Sequence, residues 1–129
     1  MDIVSCPFCP PKVNDNAVLL ENELSLFIDL KHPILEGSGI IVPRAHRQST
    51  FDLTTAEITS IFSLLTEVKA LLDIEYKPQG YNLGWNCGAV AGQTVFHAHL
   101  HVIPRYASEP YAGKGIRYWL KQESNRRNI

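Results

Sequence analysis

The sequence lacks a long hydrophobic run, a large charge imbalance and an even number of cysteines. Of its 129 residues, 45% are apolar and 19% are charged, and the formal net charge is −1. These values are near the average for globular domains, which excludes a disordered or fibrous chain. The apolar runs are shorter than the roughly 18 residues that a membrane-spanning helix needs. No basic and then apolar leader opens the chain, so we predict a cytoplasmic protein with no membrane partner.

The small number of cysteines and the chain length limit the architecture further. Three cysteines cannot form a complete disulfide framework, so we expect them to serve metal binding, redox chemistry or packing. The length predicts a single domain over residues 1–129. Residues 104–129 hold six of the twelve Lys and Arg but two of the thirteen Asp and Glu, so residues 106–129 form a basic C-terminal tail. The basic residues are too dispersed for a nucleic-acid polymer to be the partner.

Hydrophobic periodicity predicts five strands and one long helix. A capping box from Thr54 to Glu57 opens the helix, and Pro78 and Gly80 end it. The strands are expected at 17–20, 24–29, 40–42, 81–85 and 94–103, and the core-facing stripe of the helix at Ile58, Ile61, Phe62, Leu65, Val68 and Leu72. This order predicts an α+β fold, in which one long helix packs on a mostly antiparallel five-stranded sheet.

Three alternating histidines are the strongest chemical signal. On a strand, His97, His99 and His101 would share one face, and each ring needs a polar partner when it is buried. Same-face neighbours lie about 6.8 Å apart along a strand, which is too far for all three rings to hold one metal ion without strong convergence. We therefore expect the three rings to divide between different tasks.

The segment AGQTVFHAHLHVIPR at 91–105 resembles the histidine-triad (HIT) family of nucleotide hydrolases and transferases. The resemblance extends to FIDL at 27–30, IVPRAH at 41–46 and YNLGWNCG at 81–88. It implies chemistry at the α-phosphate of dinucleoside polyphosphates, nucleoside phosphoramidates or related compounds. The family forms homodimers, so a homodimer is expected, and no organic cofactor is implied.

The resemblance also implies roles for individual residues. His99 is the middle histidine, which forms a covalent nucleotidyl intermediate, and a neutral imidazole is a competent nucleophile near pH 7. His101 would contact phosphate oxygens. Around them, the family pattern places Asn86 at the phosphate, and Gln93 and Thr94 at the phosphate and the leaving-group side, with Gln93 counted among the catalytic residues. It assigns a ribose contact to Asp29 and a base pocket to Phe27 and Leu30. Gly37-Ser38-Gly39 departs from the Gly-His that the family often carries near the sugar and the base.

The pair Cys6-Pro-Phe-Cys9 has the spacing of a metal-binding thiolate pair. A redox centre is disfavoured because Pro10 and Pro11 follow where helical N–H donors would be needed. Some HIT proteins complete such a pair with two histidines, which match His46 and His97 here. The resemblance therefore implies one structural zinc on Cys6, Cys9, His46 and His97, with residues 1–11 as its N-terminal segment. A closed four-ligand site leaves no position for a reacting water.

Two other functions remain open from the sequence. A nucleotide-binding regulatory module would bind a nucleotide and turn it over poorly. A zinc hydrolase would use the histidines as ligands and lose activity on chelation. His32, beside Pro33, is expected to be an exposed turn residue.

Overall fold

The structure is a computed structural model that describes residues 2–129. Its five strands form one antiparallel sheet in the order β1-β2-β3-β5-β4. The elements are β1 (Ala17–Glu21), β2 (Ser25–Asp29), β3 (Gly39–Pro43), α1 (Thr55–Tyr76), β4 (Gly80–Trp85) and β5 (Leu100–Arg105). The predicted α+β fold with one long helix is confirmed. Across residues 2–129, no helix is both long and apolar enough to span a membrane.

The helix begins at the predicted capping box. Thr54 Oγ1 accepts a hydrogen bond from the Glu57 N–H at 3.1 Å, and the Glu57 carboxylate accepts one from the Thr54 N–H at 2.8 Å. The two bonds satisfy backbone donors that a helix start would otherwise leave unpaired. The helix ends at Tyr76, where Lys77 turns into the left-handed region ahead of Pro78.

The predicted core stripe of the helix is wrong at two positions. Ile58 and Phe62 are 42% and 51% exposed, whereas Leu64, which lies outside the predicted stripe, is fully buried. The helix packs on the central part of the sheet through Ile61, Leu64, Val68 and Leu72. The flank with Ile58 and Phe62 therefore faces away from that core.

The sheet has a buried layer on each face. Towards α1, Phe27, Ile41, Leu100 and Val102 pack with the helix. On the opposite face, the alternate strand residues pack under the N-terminal segment; this layer comprises Cys6, Phe8, Cys9, Val13, Leu26, Ile28, Ile40 and Val42. Hydrophobic contact on both faces explains why β2 and β3 read as continuous apolar runs.

Gly39 and Phe27 approach closely where β2 pairs with β3. A Cβ atom at position 39 would lie 2.5 Å from both the Ile28 carbonyl oxygen and the Phe27 ring. The absence of a side chain at position 39 thus makes room for the Phe27 ring in the helix-side layer.

The last strand is shorter than predicted. It begins at Leu100, although alternation in the sequence places its start at residue 94. The preceding segment bonds irregularly to the chain after β3: the Ala98 N–H donates to the Arg47 carbonyl at 2.7 Å, and His97 Nε2 donates to the Pro43 carbonyl at 2.8 Å. These bonds replace a regular ladder, so the three histidines do not simply line one strand.

Candidate active site

His97 lies in a buried Cys/His cluster with Cys6, Cys9 and His46. The four ligating atoms all lie within 4.8 Å of one another. His97 Nδ1 lies 3.4 Å from Cys6 Sγ and 3.5 Å from Cys9 Sγ, and His46 Nδ1 lies 3.3 Å from Cys9 Sγ. The structure thus brings together the four residues that the sequence analysis selected as metal ligands.

The chemistry of this Cys/His cluster fits zinc. A carbonyl oxygen only accepts, so the contact with Pro43 places a proton on His97 Nε2 and leaves the Nδ1 lone pair facing the thiols. Burial lowers the pKa of His97 to about 4, which keeps the ring neutral at pH 7. Burial, together with the neighbouring Cys6, raises the pKa of Cys9 to about 11. A bound cation is what would favour the thiolate here, and two thiolates with two imidazoles suit tetrahedral zinc.

His99 has a different hydrogen-bond pattern. Its Nδ1 donates to the His97 carbonyl oxygen at 2.8 Å, so the neutral ring carries its lone pair on Nε2. The ring is 8% exposed, and its centroid lies 5.0 Å from that of His101 and 5.6 Å from that of Phe8. This arrangement fixes the tautomer that a nucleophilic imidazole requires.

His101 lies on β5 and lines the main cavity of the molecule. Burial, and then the nearby His99, lower the pKa of His101. The main cavity has a volume of about 420 Å³ and occupies the sheet face opposite α1. Its lining residues are Leu30, His32, Leu35, Ser38, Asn82, Leu83, Gly84, Trp85, Asn86, His101, Ile103 and Ile116. An apolar cavity of this size with a few polar groups is typical of small-molecule sites.

Gln93 is placed differently from its predicted role. Its side chain is buried, and its carbonyl oxygen accepts from the Gly88 N–H at 2.9 Å. The amide nitrogen donates to the Gln48 and Val95 carbonyls at 2.7 and 3.1 Å. Because the whole amide group is engaged with backbone, Gln93 holds the loop before the histidines in shape and has no free donor for a phosphate.

The other two predicted phosphate contacts remain accessible. Asn86 is exposed and lines the main cavity, and Thr94 is exposed beside the buried Gln93. Gly92 adopts a left-handed conformation next to Asn86, where a Cβ atom would lie 3.6 Å from the Asn86 amide nitrogen. That distance is ordinary van der Waals contact, so it is the positive φ of Gly92, and not crowding by Asn86, that favours glycine in this turn.

The predicted nucleoside contacts separate into different places. Leu30 lines the main cavity, while Asp29 lines an adjoining cavity of about 310 Å³ and accepts a hydrogen bond from the Lys31 N–H at 2.8 Å. Phe27 is fully buried in the helix-side core, so the prediction that it lines the base pocket is wrong. The reason is strand alternation, which turns Phe27 and Leu30 to opposite faces of the sheet.

His32 is exposed, as expected, but it also lines both cavities. Its Nδ1 accepts hydrogen bonds from the Ile34 and Leu35 N–H groups, each at 3.2 Å. In the neutral ring these bonds place the proton on Nε2. Eight further residues of the cavity were not predicted as contacts, although four of them lie in the segment 81–88 that carries the family resemblance; they are Leu35, Ser38, Asn82, Leu83, Gly84, Trp85, Ile103 and Ile116.

Comparison with known proteins gives the family. The family model for the HIT domain matches residues 11–108. An uncharacterised HIT-like protein of Mycoplasma genitalium is 33% identical over 107 residues, which are 82% of this chain and 72% of that protein. An adenosine 5'-monophosphoramidase of Schizosaccharomyces pombe is 31% identical over 115 residues, 87% of this chain and 83% of that protein. A bis(5'-nucleosyl)-tetraphosphatase of the same yeast is 37% identical over 79 residues, 61% of this chain and 43% of that protein.

Solved structures show the same architecture. A HIT family protein from Bacillus anthracis has a TM-score of 0.75 at 35% identity and covers 83% of this chain and 77% of its own. A zinc-bound histidine triad family protein from Mycobacterium smegmatis has a TM-score of 0.74 at 27% identity and covers 84% of this chain and 81% of its own. With the family match extending over most of the chain, the protein belongs to the HIT domain family.

Proposed function

We propose that the protein hydrolyses nucleotides at the α-phosphate through a covalent intermediate on His99. The observation that carries the proposal is the bond from His99 Nδ1 to the His97 carbonyl, which leaves Nε2 free to attack. Relatives named as a phosphoramidase and as a nucleosyl tetraphosphatase support a nucleoside phosphoramidate or a dinucleoside polyphosphate as the substrate.

The proposed reaction has two steps at phosphorus. His99 Nε2 forms a bond to the α-phosphorus while the leaving group departs with its bonding electrons and takes up a proton. Water then attacks the same phosphorus, Nε2 is released, and a nucleoside monophosphate leaves. His101 lines the main cavity beside His99, where a ring N–H would stabilise negative charge on the phosphate oxygens.

We further propose that Asn86 and Thr94 contact the phosphate, and that Asp29 and Leu30 contact the nucleoside. Asp29 has one carboxylate oxygen without a hydrogen bond among residues 2–129, and a carboxylate is a natural acceptor for ribose hydroxyls. The Lys31 N–H bond to its other oxygen orients the carboxylate. His32 joins the two cavities, so both can serve one ligand.

The Cys/His cluster is proposed to hold one structural zinc, which would tie the N-terminal segment to the chain beside His99. Cys6 and Cys9 come from this segment, and His97 precedes the proposed nucleophile by two residues. All four ligand positions are protein atoms, so this metal would act on stability and on the shape of the loop.

A cytoplasmic homodimer without an organic cofactor completes the proposal. The exposed Ile58 and Phe62 on α1 and the edge strand β4 support an interface between two copies. Light scattering on the purified protein tests it, and a monomeric mass at micromolar concentration would exclude the dimer.

Release of AMP tests the catalytic proposal. Wild type and His99→Asn are compared on adenosine 5'-phosphoramidate and on diadenosine tri- and tetraphosphate, with intact-mass spectrometry of quenched wild-type samples. We expect release to fall at least a thousandfold in the variant, since the nucleophile is lost, and a transient adduct of nucleotide mass in wild type. AMP binding without release would favour a regulatory nucleotide-binding module. Release that persists in His99→Asn but stops on chelation would favour a zinc hydrolase.

A further inference from the structure

His32 lies where the main cavity meets the adjoining cavity. Among residues 2–129, it is the one residue that lines both. Leu30 and Leu35 line the main cavity with it, and Asp29 lines the adjoining one. A ligand that occupies both cavities must pass His32, so the hydrogen-bonding groups of this ring bear on what the site accepts.

His32 belongs to the loop between β2 and β3 (residues 31–37), which burial does little to hold. Residues 31–36 are all exposed, and Ile34 is 85% exposed. Lys31 and Gly37, at the two ends of the loop, have positive φ angles of 53° and 85°. Hydrogen bonds within the loop must therefore fix much of its shape.

One nitrogen of the His32 ring supplies two of these hydrogen bonds. Nδ1 accepts from the Ile34 N–H and from the Leu35 N–H, each at 3.2 Å. An acceptor nitrogen carries no proton, so the proton of the neutral ring lies on Nε2. Among residues 2–129, no hydrogen bond occupies this Nε2–H. The ring thus holds the loop with one nitrogen and keeps a free donor on the other.

Asp29 offers a free acceptor in the cavity that His32 also lines. The Lys31 N–H donates to Asp29 Oδ1 at 2.8 Å, and Oδ2 has no hydrogen bond among residues 2–129. A hydroxyl group of a ligand can satisfy both side chains, because its O–H donates to a carboxylate while its oxygen accepts from an N–H. A hydrogen atom in place of the hydroxyl can do neither.

We propose that His32 is a ligand-binding residue whose Nε2–H donates to a ribose hydroxyl that itself donates to Asp29. This inference rests on the proposed function, which places the ribose at Asp29, and it adds a second residue that recognises the same hydroxyl. Loss of the hydroxyl leaves both the carboxylate and the N–H without a ligand partner. The site therefore selects ribonucleotides over the corresponding deoxynucleotides.

Binding of AMP, 2'-deoxy-AMP and 3'-deoxy-AMP to the full chain tests the role of the hydroxyl. Calorimetric titration gives the Kd of each nucleotide. We expect at least one deoxynucleotide to bind about tenfold more weakly than AMP, because its missing hydroxyl removes one hydrogen bond to a charged group and one to a neutral group. Equal Kd values for the three nucleotides would overturn the proposal.

Two variants separate the roles of the two ring nitrogens. The side-chain oxygen of His32→Asn can replace Nδ1 as the acceptor for the loop, but this variant lacks the distal donor. The NH₂ group of His32→Gln can replace the Nε2–H, but this variant lacks the proximal acceptor. Comparison of the two therefore distinguishes contact with the ligand from support of the loop.

The ratio of the deoxynucleotide Kd to the AMP Kd is the decisive value. In His32→Asn this ratio should be about fivefold smaller than in wild type, since one neutral hydrogen bond has an effect of this size. In His32→Gln both Kd values should rise together and keep the wild-type ratio. A wild-type ratio in His32→Asn would overturn the proposal.

Hydrogen exchange tests the support of the loop. The Ile34 and Leu35 N–H groups should exchange faster in His32→Gln than in wild type or His32→Asn, since only His32→Gln lacks their acceptor. Ile34→Ala is the matched control for binding, because Ile34 lies in the same loop and lines neither cavity, and its three Kd values should equal those of wild type. Equal exchange rates in wild type and His32→Gln would show that the ring does not hold the loop.

The outcomes separate the His32 contact from the catalytic proposal. If adenosine 5'-phosphoramidate is hydrolysed and needs His99, but His32→Asn keeps the wild-type ratio of Kd values, the His32 contact is wrong and the proposed function stands. If wild type neither binds AMP nor releases it from any of the substrates, the proposed function fails and the His32 contact fails with it.

Discussion

The Cys/His cluster and the main cavity lie on the same face of the sheet and use histidine in opposite ways. In the Cys/His cluster, both nitrogens of His97 face protein atoms, one towards a carbonyl and one towards two thiols. Two residues later, the Nδ1 of His99 is bound to a carbonyl and Nε2 is left with its lone pair. His101 is less buried and lines the main cavity. Identical side chains thus become candidate ligand, nucleophile and phosphate contact through their backbone partners and their burial.

The largest effect on stability is expected when the Cys/His cluster loses its metal, because this tests the role that separates His97 from His99. We expect Cys9→Ser to bind no zinc and to lose about 4 kcal/mol of unfolding free energy when zinc is present at a thousand times the wild-type Kd. Urea unfolding with and without zinc measures this loss. Cys87→Ser is the matched control, because Cys87 is a free cysteine outside the Cys/His cluster. Equal stabilisation of both variants by zinc would place the metal elsewhere.

An intermediate effect is expected at Gln93, which lies on the loop that joins the two regions. Gln93→Ala leaves the Gly88 N–H and the Gln48 and Val95 carbonyls without partners, so we expect a loss of about 2 kcal/mol in unfolding free energy. Because Gln93 has no free donor for a phosphate, kcat should fall while the Kd for AMP changes little.

The neighbouring exposed residue provides the contrast for Gln93. Thr94→Ala should weaken AMP binding and leave the unfolding free energy unchanged, if Thr94 contacts the phosphate as proposed. Calorimetric titration with AMP gives the Kd of each variant, and urea unfolding gives the unfolding free energy of each. A weaker Kd with normal stability in Gln93→Ala would show that Gln93 contacts the ligand directly.

The smallest effect on stability is expected at Arg47 and Glu57, which connect the chain before His99 to the helix α1. The Arg47 carbonyl accepts from the Ala98 N–H, and the Arg47 guanidinium donates to the buried Glu57 at 3.0 Å. Burial alone would raise the pKa of Glu57, but hydrogen bonds from the Thr54 N–H and Arg47 outweigh it and lower this pKa. A lowered carboxyl pKa stabilises the fold above the unfolded-state value, and this stabilisation is lost as the pH falls through the folded-state value.

We therefore expect Glu57→Gln to lower the unfolding free energy by about 1 kcal/mol at pH 7, a modest figure because Arg47 is partly exposed. The difference from wild type should shrink as the pH falls from the unfolded-state value of about 4.5 through the lower folded-state value of Glu57. Urea unfolding at several pH values measures the difference. Glu67→Gln, on the exposed side of α1, should show no such trend. A difference that stays constant with pH would mean that the carboxylate charge is unimportant.

Periodicity and capping predicted most of the fold, because they are local properties of the chain. The capping box at Thr54, the five strands and their antiparallel arrangement follow from them. The start of β5 could not be predicted, since alternation from residue 94 is equally compatible with a strand and with a segment bonded to the Pro43 and Arg47 carbonyls. The helix stripe failed at Ile58 and Phe62 because they lie on its flank, beside the buried Ile61, and a sequence does not show how wide a face of the helix the sheet covers.

The candidate site also has a part that the sequence predicted and a part that it did not. The spacing of the cysteines and histidines, read with the family resemblance, selected four residues that the structure does bring together. The pattern could not show that the Gln93 amide would be engaged by three backbone groups, or that Phe27 would turn towards the helix. It did not single out Ile116, which lines the main cavity in a C-terminal segment where Arg105 donates to the Lys114 carbonyl.

The close approach of Gly39 and Phe27 has a consequence for the evolution of the protein. Any side chain at position 39 would collide with the Phe27 ring and the Ile28 carbonyl, and strand backbone cannot move aside as a flexible side chain can. A smaller residue at position 27 would remove the collision with the ring but not the one with the Ile28 carbonyl. Glycine should therefore be required at position 39 whatever residue stands at position 27. A library that randomises both positions together should return varied residues at 27 but glycine alone at 39.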